Sequence, residues 1–146
     1  MTRPASLAPF GALSFAYFAA LGVFNPYSPL WFQSLGFSTL AIGAIASLQA
    51  WTRVISPYAW SWVGDHWEQG ARRTTLLRIA ASLCLVTAAG LLWAREYAAV
   101  SLVVFALYLA NGAVMPLNEA ALSQRLVTAD GLDLARYGRI RVWGSV

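Results

Sequence analysis

Lysine is absent from this sequence, and charge of either sign is scarce. Its 146 residues carry 10 basic side chains, all of them arginine, and 6 acidic ones. Charged residues make up 11% of the chain and apolar residues 59%, against roughly 25% and 45–50% in soluble domains. So few charges cannot cover a soluble surface, and the composition therefore indicates a polytopic membrane protein. Most of the arginines fall between apolar runs. We therefore attribute the net charge of +4 to the orientation of the chain in the membrane, not to nucleic-acid binding.

Cysteine and histidine are represented by Cys84 and His66 alone. One cysteine cannot form a disulfide within the chain, and one histidine with one cysteine cannot build a metal cluster. Asp65 and His66 are adjacent, so their side chains point apart, and no nucleophile accompanies them. We therefore expect no metal, no cofactor and no enzymatic activity.

Long apolar runs at a length suited to a bilayer predict an all-α, polytopic transmembrane helix bundle. Four helices are expected, with the start of a fifth, at residues 7–32, 39–62, 76–94, 97–124 and 137–146. Pro26 and Pro29 are expected to loosen the last turn of the first helix. The fifth run stops too early to cross a bilayer, so we expect a fragment whose C-terminal half is missing.

The arginines also predict an orientation. The N-terminus and the loops at 64–73 and 125–136 carry arginine, whereas the turn at 33–38 carries no charge. By the positive-inside rule, the N-terminus and both charged loops are cytoplasmic. The expected location is the bacterial inner membrane.

A polar stripe follows the second run, where Gln49, Arg53, Ser56 and Trp60 recur at helical spacing. An arginine within a span must face the bundle interior or reach for a headgroup layer, and we favour the interior. Gly43, with Ser47 one turn later, predicts a small-residue face on which another helix approaches closely.

The fourth run carries Tyr108, Asn111, Met115 and Asn118 along one face, with Glu119 on its flank. A carboxylate in or near hydrocarbon is costly and therefore a functional candidate. The two asparagines and the tyrosine fit two roles equally, the lining of a cavity and hydrogen bonding between helices.

Arg141, at the start of the fifth run, is the partner that we predict for Glu119. The two charges would neutralise one another on adjacent helices, and a ligand could then compete for the guanidinium. Arg139 lies roughly 200° around the helix from Arg141, so only one of the two can face the cavity. Two alternatives stay open: a purely structural ion pair, and Arg53 as the partner of Glu119.

The loop after the second run resembles the signature of the major facilitator superfamily. Asp65, Gly70, Arg72 and Arg73 stand in the family's order, with His66 in place of a basic residue. The resemblance implies that this loop takes part in gating.

Two further segments, 116–120 and 137–145, resemble the branch of the phenylpropionate and lactose permeases. The pattern Tyr-Gly-Arg-x-Arg-x-Trp-Gly-Ser is more similar to the phenylpropionate-permease-like members. The resemblance covers essentially the whole chain, but only the first third of a family member with about twelve helices.

The resemblance implies proton-coupled uptake of a small solute by alternating access, with Glu119 and Arg141 holding the substrate. The expected substrate is an aromatic or other organic acid, since Arg53 and Arg141 can meet a carboxylate. The expected partners are this solute, the proton and the lipid bilayer. A sugar or nucleoside symporter of the same superfamily is one alternative, and a membrane scaffold subunit without transport activity is another.

Overall fold

The computed structural model describes residues 7–66, 72–128, 131–132, 137–138 and 142. Four helices dominate this part of the chain: α1 (Ala8–Ser34), α2 (Thr39–His66), α3 (Arg72–Gly90) and α4 (Tyr97–Leu126). Two short strands follow, β1 (Val127–Thr128) and β2 (Gly131–Leu132), and pair as an antiparallel hairpin. The predicted all-α class and its four helices are confirmed, and the hairpin lies in the stretch predicted as a charged loop. The predicted fifth run lies outside the described residues, except for residues 137, 138 and 142.

The chain divides into two compact units. We call Met1–Pro26 with Asn118–Val146 the terminal unit, and Tyr27–Leu117 the central unit. In the terminal unit, Phe10 is buried with three apolar residues of α4, namely Ala121, Leu122 and Leu126. The Arg125 guanidinium carbon lies 5.3 Å from the centroid of the Phe10 ring, within the range of a cation–π contact.

The connection between α1 and α2 is a tight turn with a clear local cause. Gly36 adopts a positive φ of 84°, which side chains disfavour. The Phe37 amide donates to the Phe32 carbonyl and the Gly36 amide to the Gln33 carbonyl, at 3.2 and 2.9 Å. These two bonds form a Schellman motif that ends α1. Ser38 then caps α2, because its Oγ accepts from the Ala41 amide at 3.3 Å.

The predicted bounds of the third helix were wrong at both ends. The helix begins at Arg72 and ends at Gly90, not at 76 and 94. Leu91, Leu92 and Trp93 continue the apolar run but form a turn, in which the Trp93 amide donates to the Gly90 carbonyl. Apolar composition therefore extends past the glycine at which the helix ends. At the other end, helical structure begins within the arginine pair.

Two helices, α1 and α4, are long and apolar enough to cross a membrane by length and composition. Large apolar side chains are widely exposed along the helices, among them Leu40, Tyr58, Leu85 and Leu102 at 86, 77, 74 and 69%. A soluble monomer rarely tolerates so much exposed apolar surface. The helices are therefore those of a membrane protein.

A close approach between α2 and α4 occurs at Gly112, within the central unit. A Cβ placed on Gly112 would lie 2.7 Å from the Ser56 Cβ and still closer to its hydroxyl. The predicted close-approach face at Gly43 is not used by the described residues, because a Cβ there meets nothing within 4 Å. The glycine on which a helix contact depends is therefore on α4.

We expect Gly112→Ala to destabilise the protein by about 1–3 kcal/mol, because the added methyl group collides with Ser56. Thermal unfolding in detergent measures this change. Gly43→Ala is the matched control and should be neutral or stabilising by about 0.5–1 kcal/mol, since it removes a helix glycine in open space. Equal thermal unfolding midpoints for the two variants would show that the contact between Gly112 and Ser56 imposes no steric constraint.

Candidate functional site

The terminal unit holds a buried polar contact between Asn118 of α4 and the first turns of α1. Asn118 is 1% exposed. Its Nδ2 donates to the Ser14 hydroxyl at 3.1 Å and, over a longer 3.4 Å, to the Phe10 carbonyl. Ser14 in turn donates to the same carbonyl at 3.0 Å. Of the two roles open to Asn118, these contacts favour hydrogen bonding between helices, while its role in substrate binding stays a prediction.

The Phe10 carbonyl also determines which way the Asn118 amide points. A carbonyl only accepts hydrogen bonds, so the NH₂ group of the amide must face it. The Asn118 Oδ1 is therefore turned away, and it is buried without a hydrogen-bond partner among the described residues. An unsatisfied buried acceptor costs roughly 1–3 kcal/mol. The contact of Asn118 with Ser14 and Phe10 therefore allows only one orientation of the Asn118 amide, next to Glu119 in the chain.

The charged residues of the predicted substrate and gating sites are only partly within the described chain. Glu119 is half-buried on α4, whereas Arg141 lies outside the described residues. Their pairing stays a prediction. Asp65 falls in the last turn of α2, and Arg72 and Arg73 in the first turn of α3, with side chains outside the description. Gly70 also lies outside it, so the predicted gating role of these residues stays a prediction.

In the central unit, two side chains of α2 bind one backbone atom of α4. The Ser56 hydroxyl and the Trp60 indole N–H both donate to the Leu109 carbonyl, at 2.9 and 3.0 Å. Ser56 is fully buried and Trp60 half-buried. The two donors are one helical turn apart, so they fix both the distance and the register of α2 against α4.

The predicted polar stripe of α2 is thus divided between two environments. Ser56 and Trp60 face α4, while Thr52, 2% exposed, donates its hydroxyl to the Gln49 carbonyl of its own helix at 3.0 Å. Arg53 is exposed, and Gln49 is half-buried. Arg53 stands at the middle of α2, between Thr39 and His66. The sequence predicted the stripe, but it did not predict which residues of the stripe would contact α4.

On α4, the central unit contains Tyr108 and Asn111, both half-buried. Arg53 lies close enough to Tyr108 for its charge to act on the phenol. The Asn111 Oδ1 is buried and has no hydrogen-bond partner among the described residues. A donor from water or a ligand would satisfy it.

A cavity of about 310 Å³ opens between α2, α3 and α4 in the central unit. Its lining is apolar except for two polar groups, which are already bonded: Trp60 to Leu109, and Thr87 to the carbonyls of Leu83 and Cys84. The lining residues are Ala59, Trp60, Val63, Leu83, Thr87, Ala106, Leu109 and Ala110. No group of three or more metal-ligating side chains occurs in the part of the chain that the structure describes.

Apolar helices in series that carry isolated charges and buried amides are typical of membrane transport proteins. The chain belongs to the MFS_1-like family, whose profile matches residues 10–146. This match confirms the major facilitator family predicted from the Asp65 loop and the segments around Glu119 and Arg141. Its members are permeases, a class of transporters and not of enzymes.

A curated relative supports the same branch of the superfamily. The chain is 28% identical over 133 residues to a probable 3-phenylpropionic acid transporter of Escherichia coli strain K12. The alignment covers 90% of this chain and 33% of the relative, so the chain spans about a third of that protein's length. No solved structure matches the chain.

We expect Asn118→Asp to destabilise the protein by at least about 2 kcal/mol. The new oxygen cannot donate to the Phe10 carbonyl, and ionisation would place an unpaired charge in a buried site. Gln124→Glu, the same chemical change at an exposed position of α4, is the control and should stay within about 0.5 kcal/mol of the parent. Similar unfolding midpoints for both variants would contradict the role assigned to the Asn118 amide.

Proposed function

We propose that the complete protein is a proton-coupled secondary transporter that takes up a small aromatic or other organic acid. The observation that carries this proposal is the family match over residues 10–146. The similarity to the Escherichia coli relative, a probable 3-phenylpropionic acid transporter, supports an aromatic acid as the solute.

The electrostatics of the described helices favour an anionic solute over a sugar or a nucleoside. Arg53 is exposed at the middle of α2, where a guanidinium in hydrocarbon would cost roughly 2.5–3.5 kcal/mol on insertion scales. Facing a cavity that admits an anion removes much of this cost, because the opposite charge neutralises the arginine. An uncharged sugar or nucleoside would supply no such charge, and the arginine would then depend on a carboxylate of the protein, such as Glu119.

In this proposal, Glu119 and Arg141 hold the solute, and Asn118, Asn111 and Arg53 are further substrate-binding residues. The loop with Asp65, Gly70, Arg72 and Arg73 closes the cytoplasmic side. The lipid bilayer surrounds the helices, and the C-terminal part of the transporter supplies the rest of the transport path. A membrane scaffold without transport is the alternative, and uptake measurements separate the two.

We expect cells that express the complete protein to accumulate radiolabelled 3-phenylpropionate, and a protonophore to abolish the accumulation. Glu119→Gln and Arg141→Ala should each lower the initial rate at least tenfold, because each removes one member of a charge-assisted contact. Glu96→Gln and Arg95→Ala are matched controls at exposed positions between α3 and α4. They should retain the parental rate.

Three results would count against the proposal in different ways. An expressed parent protein that accumulates no organic acid would reject the transport function for this class of solute. Accumulation that persists with the protonophore would reject proton coupling. Full activity in both the Glu119 and the Arg141 variants would reject these residues as the substrate site, but it would not reject the transport function.

We also propose that the protein is a multi-pass protein of the bacterial inner membrane with its N-terminus in the cytoplasm. In a Cys84→Ser background, Gln33→Cys at the exposed end of α1 should react with a membrane-impermeant maleimide in intact cells. Gln69→Cys, in the arginine-bearing loop, should react only after the membrane is permeabilised. The reverse pattern of labelling would invert the proposed orientation.

A further inference from the structure

The contact at the Leu109 carbonyl determines which side chains meet beside it. Ser56 and Trp60 both donate to this oxygen, and Gly112 leaves room for Ser56 against α4. Arg53 stands one helical turn before Ser56, and Tyr108 immediately precedes Leu109. The register of the two helices therefore brings a guanidinium and a phenol together, near enough for the arginine's charge to act on the tyrosine.

This pair lies away from the side of α4 that lines the apolar cavity. Ala106 and Ala110 line that cavity, and each lies roughly 160° around α4 from Tyr108 at 3.6 residues per turn. Ala59, which lines it from α2, lies roughly 120° around that helix from Arg53. Neither Arg53 nor Tyr108 lines this cavity, although Trp60, seven residues after Arg53 on the same stripe of α2, does.

No carboxylate of the central unit stands close to this pair along its helix. Asp65 is twelve residues after Arg53 on α2, and Glu96 is twelve residues before Tyr108 at the start of α4. Twelve residues correspond to roughly 18 Å along a helix. Glu68, the remaining acidic residue between 27 and 117, is further along the chain. Glu119, the other acidic residue of α4, is eleven residues after Tyr108 and belongs to the terminal unit. On neither helix does a carboxylate therefore lie within roughly two helical turns of the Arg53–Tyr108 pair along the chain.

We propose that Arg53 and Tyr108 together bind the carboxylate of the transported acid. The guanidinium supplies the opposite charge and two parallel N–H donors, and the phenol supplies an O–H donor from the neighbouring helix. The inference rests on the proposed function and assigns its solute class to a particular pair of side chains. Tyr108 is the new member of the site, and the double contact at Leu109 holds the pair in register.

The test compares the acid with its uncharged amide in the complete protein. Uptake of labelled 3-phenylpropionate gives KM and the maximal rate, and unlabelled 3-phenylpropionate and 3-phenylpropionamide serve as competitors. Tyr108→Phe should raise the KM for the acid roughly tenfold or more, the effect of losing a hydrogen bond to a charged group. The amide, which lacks the charge, should lose little affinity.

Arg53 is tested by two substitutions because a neutral residue in this place can impair folding. Arg53→Gln should abolish the preference for the acid over the amide as competitor. Arg53→Lys keeps the charge but loses the bidentate fork, so its KM should lie between those of the parent and Arg53→Gln. Tyr58→Phe, at a position 77% exposed on α2, is the matched control and should leave KM unchanged.

The outcomes separate this inference from the proposed function. Uptake by the parent protein with an unchanged KM and unchanged acid preference in Tyr108→Phe and Arg53→Lys would overturn the inference and leave transport intact. Equal losses of affinity for acid and amide would also overturn it, because that pattern reports general damage to the site. Absence of uptake by the parent protein would remove the proposed function itself.

Discussion

The hydrogen bonds that two side chains of α2 make to the Leu109 carbonyl are the constraint on which the central unit depends. Helices in hydrocarbon gain nothing from burying apolar surface against one another, because lipid is equally apolar. Close packing and polar contacts must therefore fix their positions. Ser56 and Trp60 supply the polar contact, and Gly112 supplies the close approach. Together they determine which residues of α2 and α4 can act as a pair.

In the terminal unit, the side-chain amide of Asn118 fixes the position of α4 against α1. Asn118 is almost fully buried and bridges to Ser14 and Phe10 of α1. Polar side chains so far from water need a partner, and a backbone carbonyl is the partner that every helix offers when a side chain reaches it. Both units therefore use the same device, a side-chain donor on one helix and a carbonyl on another. Arg53 takes part in neither contact.

The sequence alone predicted the four described helices, an uncharged turn between the first two and the polar faces of α2 and α4, because these follow from composition and helical spacing. It did not predict the end of α3, since the apolar run continues beyond Gly90 into a turn. Gly43 and Gly112 look equivalent in sequence, yet only Gly112 meets a neighbouring helix among the described residues. Spacing identifies a face, but which face meets which neighbour depends on tertiary contacts that no single sequence contains.

The polar stripe of α2 shows how one helix face can divide into structural and functional parts. Ser56 donates its hydrogen bond to α4, whereas Arg53, one turn away on the same stripe, is exposed at the middle of α2. A hydroxyl is satisfied by a single carbonyl, but a guanidinium carries five donors and a charge that no backbone group neutralises. An arginine at this depth is therefore stable only beside an anion or water. That requirement, more than any motif, is the reason for proposing that Arg53 takes part in recognising a solute's negative charge.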